Sequence, residues 1–318
     1  MNPVLLETRG LRKYFDLGAG RRVHAVDGID LVIREREVLG LVGESGSGKS
    51  TLGKTLIGLH PRTSGEILYQ GQPLPAQYGP AEYRRMASQM QMVFQDPYSS
   101  LNPRMTVEEI ISEALALRGG FGKEQIRERV GFWLQRVGLN KDHMVRYPHE
   151  FSGGQRQRIG IARAMIAEPR LVICDEPISA LDVSIQAQVV NLLADLKESL
   201  GLTMIFIAHD LSMVRFVSDR IAVMYLGAIC EIGPADEVFF NPRHPYSQAL
   251  IASNPKADPE IEKARPHQPI PGEIPSPVNL PKGCRFAARC PLATDHCRQE
   301  APALREIKPG HQAACHLI

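Results

Sequence analysis

Three short stretches of the chain are apolar throughout: Val38-Leu39-Gly40-Leu41-Val42, Leu171-Val172-Ile173-Cys174 and Met204-Ile205-Phe206-Ile207. A strand with one wet face alternates apolar and polar residues, so unbroken apolar runs suit strands covered on both faces of a parallel sheet. Between and after them the period changes. Ile185, Val189, Leu192 and Leu196 are spaced to form one stripe on a helix, and Val107 to Leu117 and Glu124 to Val137 read similarly. Strands alternating with helices predict an α/β fold with a mostly parallel sheet. In such sheets ligands bind just beyond the carboxyl ends of the strands. Each apolar run is followed at once by unusual polar residues: Gly43 to Ser50, then Asp175-Glu176, then His209. The chemistry is expected there.

Composition narrows the class. With 318 residues, 43% hydrophobic and 23% charged, the chain is neither disordered nor fibrous, and its length suits two domains or one domain with an appendage. Lys+Arg 37 against Asp+Glu 35 leaves a formal net charge of +2, which offers nucleic acid no general attraction. The longest apolar run, Ile221 to Cys230, is about half of what a membrane-spanning helix needs. Glu7 and Arg9 stand where a signal peptide would have its apolar core, so a soluble intracellular chain is expected. Proline and cysteine both divide the sequence. Thirteen of the 24 prolines fall within 241–318, and Cys284, Cys290, Cys297 and Cys315 crowd the last 35 residues. A compact body to about residue 240 and a loop-dominated tail follow. In a reducing compartment such cysteines point to a metal site rather than to disulfides.

Gly43-Glu44-Ser45-Gly46-Ser47-Gly48-Lys49-Ser50 fits G-x-x-x-x-G-K-[ST] between a strand and a helical stretch, Thr51 to Leu59. Glycines let backbone N–H groups and the helix N-terminus wrap an anion. Lys49 adds a full charge for the β- and γ-phosphates, and the Ser50 hydroxyl is a Mg²⁺ ligand. The bland alternative is a glycine-rich turn without a ligand. A dinucleotide fingerprint fails, because Thr51 stands where its third glycine belongs.

Asp175-Glu176 ends an apolar strand. Carboxylates buried there are costly without a cation or donor, so Asp175 is read as holding Mg²⁺ and Glu176 as activating water. Solvated acids at a loop start are the alternative. His209, at the third strand's end, is placed to bridge a γ-phosphate to Glu176. Phe151-Ser152-Gly153-Gly154-Gln155 makes a second anion site at a helix N-terminus. One nucleotide rarely needs two such sites, so Ser152 is expected to face a nucleotide held by another subunit. A simple glycine-containing N-cap is its alternative.

Taken together, these motifs resemble those of ABC-transporter ATP-binding subunits over essentially the whole chain. The resemblance implies a P-loop NTPase (RecA-like) core over 1–240 with a helical subdomain at about 96–160. It makes Gly43 to Ser50, with Thr51, the Walker A nucleotide site. Gln95 becomes the Q-loop glutamine, which serves catalysis, nucleotide and Mg²⁺. Ser152, Gly153, Gly154 and Gln155 become the signature, and Glu176 the catalytic base. Ser179-Ala180-Leu181-Asp182 becomes the D-loop and His209 the switch histidine. Phe15 aligns as the aromatic stacking on adenine, with Tyr14 as the neighbouring alternative; Phe151 departs from the family's leucine without altering character. ATP and Mg²⁺ are the implied cofactors. The implied partners are a second ATPase subunit, identical or homologous, two membrane permeases and an extracytoplasmic solute-binding protein. The implied place is the cytoplasmic side of the inner membrane, as a peripheral subunit. A soluble ABC ATPase acting on DNA or ribosomes is the rival, but neither a long coiled-coil insertion nor a second cassette is present.

Gln95 to Arg104, Asn241 to Leu250 and Gly272-Glu273-Ile274-Pro275-Ser276-Pro277 resemble the oligopeptide/dipeptide importer ATPases, whose tail would be 241–318. Peptides are then the cargo; nickel, antimicrobial peptides and glutathione are carried by relatives with the same tail. The cysteine spacing, C-x5-C-x6-C-x17-C, contains no close zinc-type pair and suits an iron–sulfur cluster. The resemblance also implies [4Fe–4S]. Zinc, with His296, His311 or His316 replacing a cysteine, is the alternative, and a tail acting as redox or metal sensor is another reading. Since the ATP site lies in the body, nucleotide binding is expected to survive loss of a tail cysteine.

Overall fold

The computed structural model describes residues 2–179, 181–253 and 272–318. Ala180 of the D-loop motif and residues 254–271 of the tail lie outside the described residues. The main sheet has eight strands, in the spatial order Arg305–Lys308, His311–Ala313, Ala228–Pro234, Arg220–Tyr225, Val38–Val42, Thr203–Ile207, Leu171–Asp175 and Met90–Val93. The last five in that order run parallel. The three apolar runs are adjacent at its centre, with Phe206 paired to both Gly40 and Cys174.

Their lack of alternation has a simple cause. Leu39, Leu41, Ile173, Ile205 and Ile207 face one buried cluster, while Val38, Val42, Val172, Cys174, Met204 and Phe206 face another. Both faces of the strands are dry, so both sets of positions are apolar. The first cluster is closed by a four-stranded antiparallel sheet, ordered Arg22–Arg34, Val4–Asp16, Ser64–Tyr69 and Gln72–Pro73. The second is closed by helices. Val183–Leu200 buries Val189 and Leu196 as its stripe predicts, with Ile185 and Leu192 packed at the margin. Val107–Arg118, Lys123–Arg136 and Gly153–Met165 join through Ile110, Ile111, Trp133, Leu134 and Ile159.

The structure adds to the sequence reading at three points. The helix after the phosphate loop is Lys49–Leu56, not Thr51–Leu59, because the chain turns left-handed at Gly58 (φ +78°). The apolar run Ile221 to Cys230 is a hairpin, Arg220–Tyr225 with Ala228–Pro234, turning at Leu226 and Gly227 (φ 44° and 79°). The described part of the tail joins the body. Its final hairpin extends the main sheet, where Glu231 pairs with Ala313. The fully buried Glu231 carboxylate accepts from the N–H groups of Arg243 and His244 and lies 2.7 Å from His311 Nε2. Tyr246 and Phe286 sit inside the core. No helix among the described residues is long and apolar enough to cross a membrane.

Candidate nucleotide-binding site

Parallel central strands bring their carboxyl ends together, and the loops that follow them meet there. From Val42 the chain enters the phosphate loop. A Cβ at Gly43 would stand 2.1 Å from the Met224 carbonyl oxygen, and one at Gly48 1.9 Å from that of Ala25. With φ of +151° and +102° as well, both positions require glycine. Lys49, only 5% exposed, donates through Nζ to the carbonyls of Gly43 (2.7 Å) and Glu44 (3.0 Å). Burial pushes its pKa down, against the opposing pull of Glu176, Asp175 and Glu44. Ser50 Oγ donates to Asp175 Oδ1 at 2.7 Å, and burial pushes the Asp175 carboxyl up.

Glu176 adopts a left-handed backbone (φ 45°) and donates its N–H to the Ile207 carbonyl at 2.9 Å. Its Oε2 accepts from Gln95 Nε2 at 2.7 Å and lies 3.8 Å from His209 Nδ1. A cavity of about 600 Å³ opens beside Lys49, Ser50, Gln95, Glu176 and His209, and Asp175 is not among its lining residues. It is lined by Phe15, Val23 and Ala25, by Ser45, Gly46 and Gly48 to Thr51 of the phosphate loop and its helix, and by Gln95, Glu176 and His209. Pro277 of the tail lines it too.

Of the two aromatic alternatives, Phe15 reaches the cavity. The Tyr14 hydroxyl instead donates to Asp27, whose other oxygen takes Arg285 Nη2 at 2.6 Å, and its ring packs on His24. Gly43, Glu44 and Ser47 are not among the lining residues: Glu44 donates its N–H to the Tyr246 hydroxyl at 2.8 Å and sets its carboxylate against Arg289. The signature is elsewhere. Ser152 caps Gly153–Met165, exchanging hydrogen bonds with Gln155, while Gly153 and Gly154 pack toward Leu181 and Ile185. Ser152 and Asp182 are exposed, and neither they nor Gly153, Gly154 and Gln155 line the cavity. Val23, Ala25, Pro277, Tyr246 and Arg289 escaped sequence reasoning, because no local spacing marks residues that reach the loop across the fold.

Comparison with known proteins supplies the class. Residues 26–179 match the model "ABC transporter", and 230–297 match "Oligopeptide/dipeptide transporter, C-terminal region". The chain is 53% identical to YkfD of Bacillus subtilis over 314 residues, covering 98% of this chain and 95% of that one. It is 50% identical to the oligopeptide transport ATP-binding protein OppF of Escherichia coli, covering 98% and 96%. The chain belongs to the ABC transporter family. Within the family it joins the oligopeptide-transport ATP-binding proteins. The ATP-binding cassette MJ0796, solved as a dimer in a post-hydrolysis state with ADP and Pi, superposes with a TM-score of 0.67 at 27% identity, over 73% of this chain and 99% of that one. The cassette cbiO1 of Clostridium perfringens, part of the complex cbiONQ, gives 0.66 at 30%, over 76% and 92%.

This ABC subunit gathers its tail cysteines in one region. Cys297 and Cys315 are buried and Cys284 and Cys290 half-buried. Burial, and then the neighbouring thiols of Cys297, Cys315 and Cys290, push Cys284 up. One ion bound by four thiolates at about 2.3 Å would draw the sulfurs to within about 4 Å of one another. No three His, Cys, Asp or Glu side chains among the described residues converge in that way. His311 is occupied by Glu231, and the rings of His296 and His316 pack together 4.1 Å apart.

Asp175→Asn keeps the shape of the side chain and an acceptor for Ser50 but removes the buried charge. In nucleotide-free, chelated buffer at pH 7 the variant should melt about 2 °C or more above wild type. Burial raises this carboxyl above the usual range, so its ionisation opposes folding. The difference should therefore grow as pH rises from the usual carboxylate value through the raised one. A lower midpoint for the variant at pH 7 would contradict this.

Proposed function

We propose that this chain hydrolyses ATP within a paired assembly and thereby drives uptake of peptides across the cytoplasmic membrane. The carrying observation is the meeting of Lys49, Ser50, Glu176, Gln95 and His209 around one cavity, with Asp175 held behind Ser50, in a chain that belongs to the oligopeptide-transport ATP-binding proteins. Phe15 stacks on adenine. The amides of Gly43 to Thr51, Glu44 and Ser47 included, cradle the phosphates, and Lys49 neutralises them. Ser50, Gln95 and Asp175 are hard oxygen donors and would hold Mg²⁺, which when bound offsets phosphate charge. Glu176 takes the proton of the attacking water, and Gln95 and His209 hold its carboxylate in place.

Ser152 and Asp182 are exposed, and Ser152 to Gln155 open the helix Gly153–Met165, which suits contact with a nucleotide on a second ATPase subunit. Residues 1–240 act as the ATPase domain, with the helical subdomain at about 96–160 meeting two permeases, and 241–318 form the peptide-importer tail. The subunit then lies peripherally on the cytoplasmic face, served by an outside solute-binding protein. Glu176→Gln should bind ATP like wild type while hydrolysis falls by roughly two to four orders of magnitude. Cells lacking the chain should lose uptake of labelled di- and oligopeptides, with rescue by wild type and not by Glu176→Gln. Near-normal turnover in that variant would remove Glu176 from its role. Intact peptide uptake alongside lost nickel or glutathione uptake would change the cargo.

The four tail thiols are read as ligands of a [4Fe–4S] cluster. Four soft donors spaced in the sequence without a close pair suit a larger body, and that body would organise the tail; zinc remains the alternative. Anaerobically purified protein should be brown, with iron and sulfide in equal amounts, and Cys290→Ser should bleach it. Colourless protein with stoichiometric zinc would favour the alternative.

A further inference from the structure

Glu44 places a negative charge in a loop built to receive anions. It lies within electrostatic range of Lys49, the cation of that loop. A carboxylate left loose there would compete with phosphate for the ammonium group. The tail directs it away. Arg289 grips it with two contacts, Nη1 to Oε2 at 2.7 Å and Nη2 to Oε1 at 3.0 Å. The arginine side chain is 4% exposed and the glutamate's 20%, so water and salt screen the pair weakly. Arg289 Nη1 also reaches the Tyr225 hydroxyl at 3.3 Å, which anchors the fork from behind. Tyr246, fully buried, accepts the Glu44 N–H. Two residues beyond position 240 therefore fix the backbone and the side chain of one phosphate-loop residue.

We propose that Arg289 is a positioning residue for nucleotide binding, holding the Glu44 carboxylate off Lys49 so that the loop's cation is kept for phosphate. The proposal rests on the reading of this loop as the ATP site. A bidentate, charge-assisted pair suits the task because it fixes direction as well as charge. Arg289 immediately precedes Cys290, so the order of the cysteine-bearing segment reaches the phosphate loop across one peptide bond. Nucleotide affinity thus depends on the tail, contrary to the independence that the sequence suggests.

The test is equilibrium ATP binding to the full-length chain. Arg289→Met should weaken binding by roughly tenfold, with turnover at saturating ATP falling by less than about threefold. Adding Glu44→Gln to that variant should restore affinity to within about threefold of wild type, since the freed charge is the cause of the defect. A merely structural role predicts a double variant as weak as the single one. Unchanged affinity in Arg289→Met, or no restoration in the double variant, would overturn the proposal. Arg289→Gln is measured alongside by the same criteria, and failure of both single variants to fold would assign Arg289 to the fold and also overturn it. A wild-type protein that bound no ATP would instead remove the nucleotide reading itself.

Discussion

The structure is organised around a buried ammonium group. Lys49 is almost wholly removed from water, and its contacts are carbonyl oxygens and the hydroxyl of Ser47. Burial alone disfavours such a charge, as the downward push on its pKa records. Glu176, Asp175 and Glu44 oppose that push. Two sit at the end of the strand beyond the central one, and the third lies in the loop itself. A site with that much negative charge around one cation needs its carboxylates assigned to other partners if phosphate is to bind. Ser50 engages Asp175, Gln95 engages Glu176, and Arg289 engages Glu44.

Those assignments explain why the fold extends past its ATPase core. The final hairpin completes one edge of the main sheet, and the buried Glu231 fastens the chain that leads into Tyr246. From there Tyr246 and Arg289 reach the phosphate loop, Arg285 meets Asp27, and Pro277 lines the cavity. Asp27 in turn engages Tyr14, leaving Phe15 as the aromatic at the cavity. Among the described tail residues, Pro277 lines the cavity while Tyr246 and Arg289 hold Glu44.

Much of this was legible in the residues, and the limits are physical. The central strands were readable because burial on two faces forces every position to be apolar, and the motifs stand directly at their ends. The phosphate loop was readable because its backbone demands glycine at fixed places. The hairpin within Ile221 to Cys230 was hidden by the same logic, since two doubly buried strands leave no polar punctuation at the turn. The antiparallel sheet formed by Val4–Asp16 and Arg22–Arg34 carries weak and irregular alternation, broken by register shifts. Arg289 and Tyr246 were illegible for another reason. Their partner is more than two hundred residues away in sequence, and nothing local in an arginine beside a cysteine announces a glutamate in the phosphate loop.

Equilibrium binding of ATP to Lys49→Ala in the presence of Mg²⁺ tests the central claim most directly. If the buried ammonium is the group around which the site is built, removing it should weaken ATP binding by roughly a hundredfold while the protein remains folded. Affinity equal to that of wild type would contradict the account.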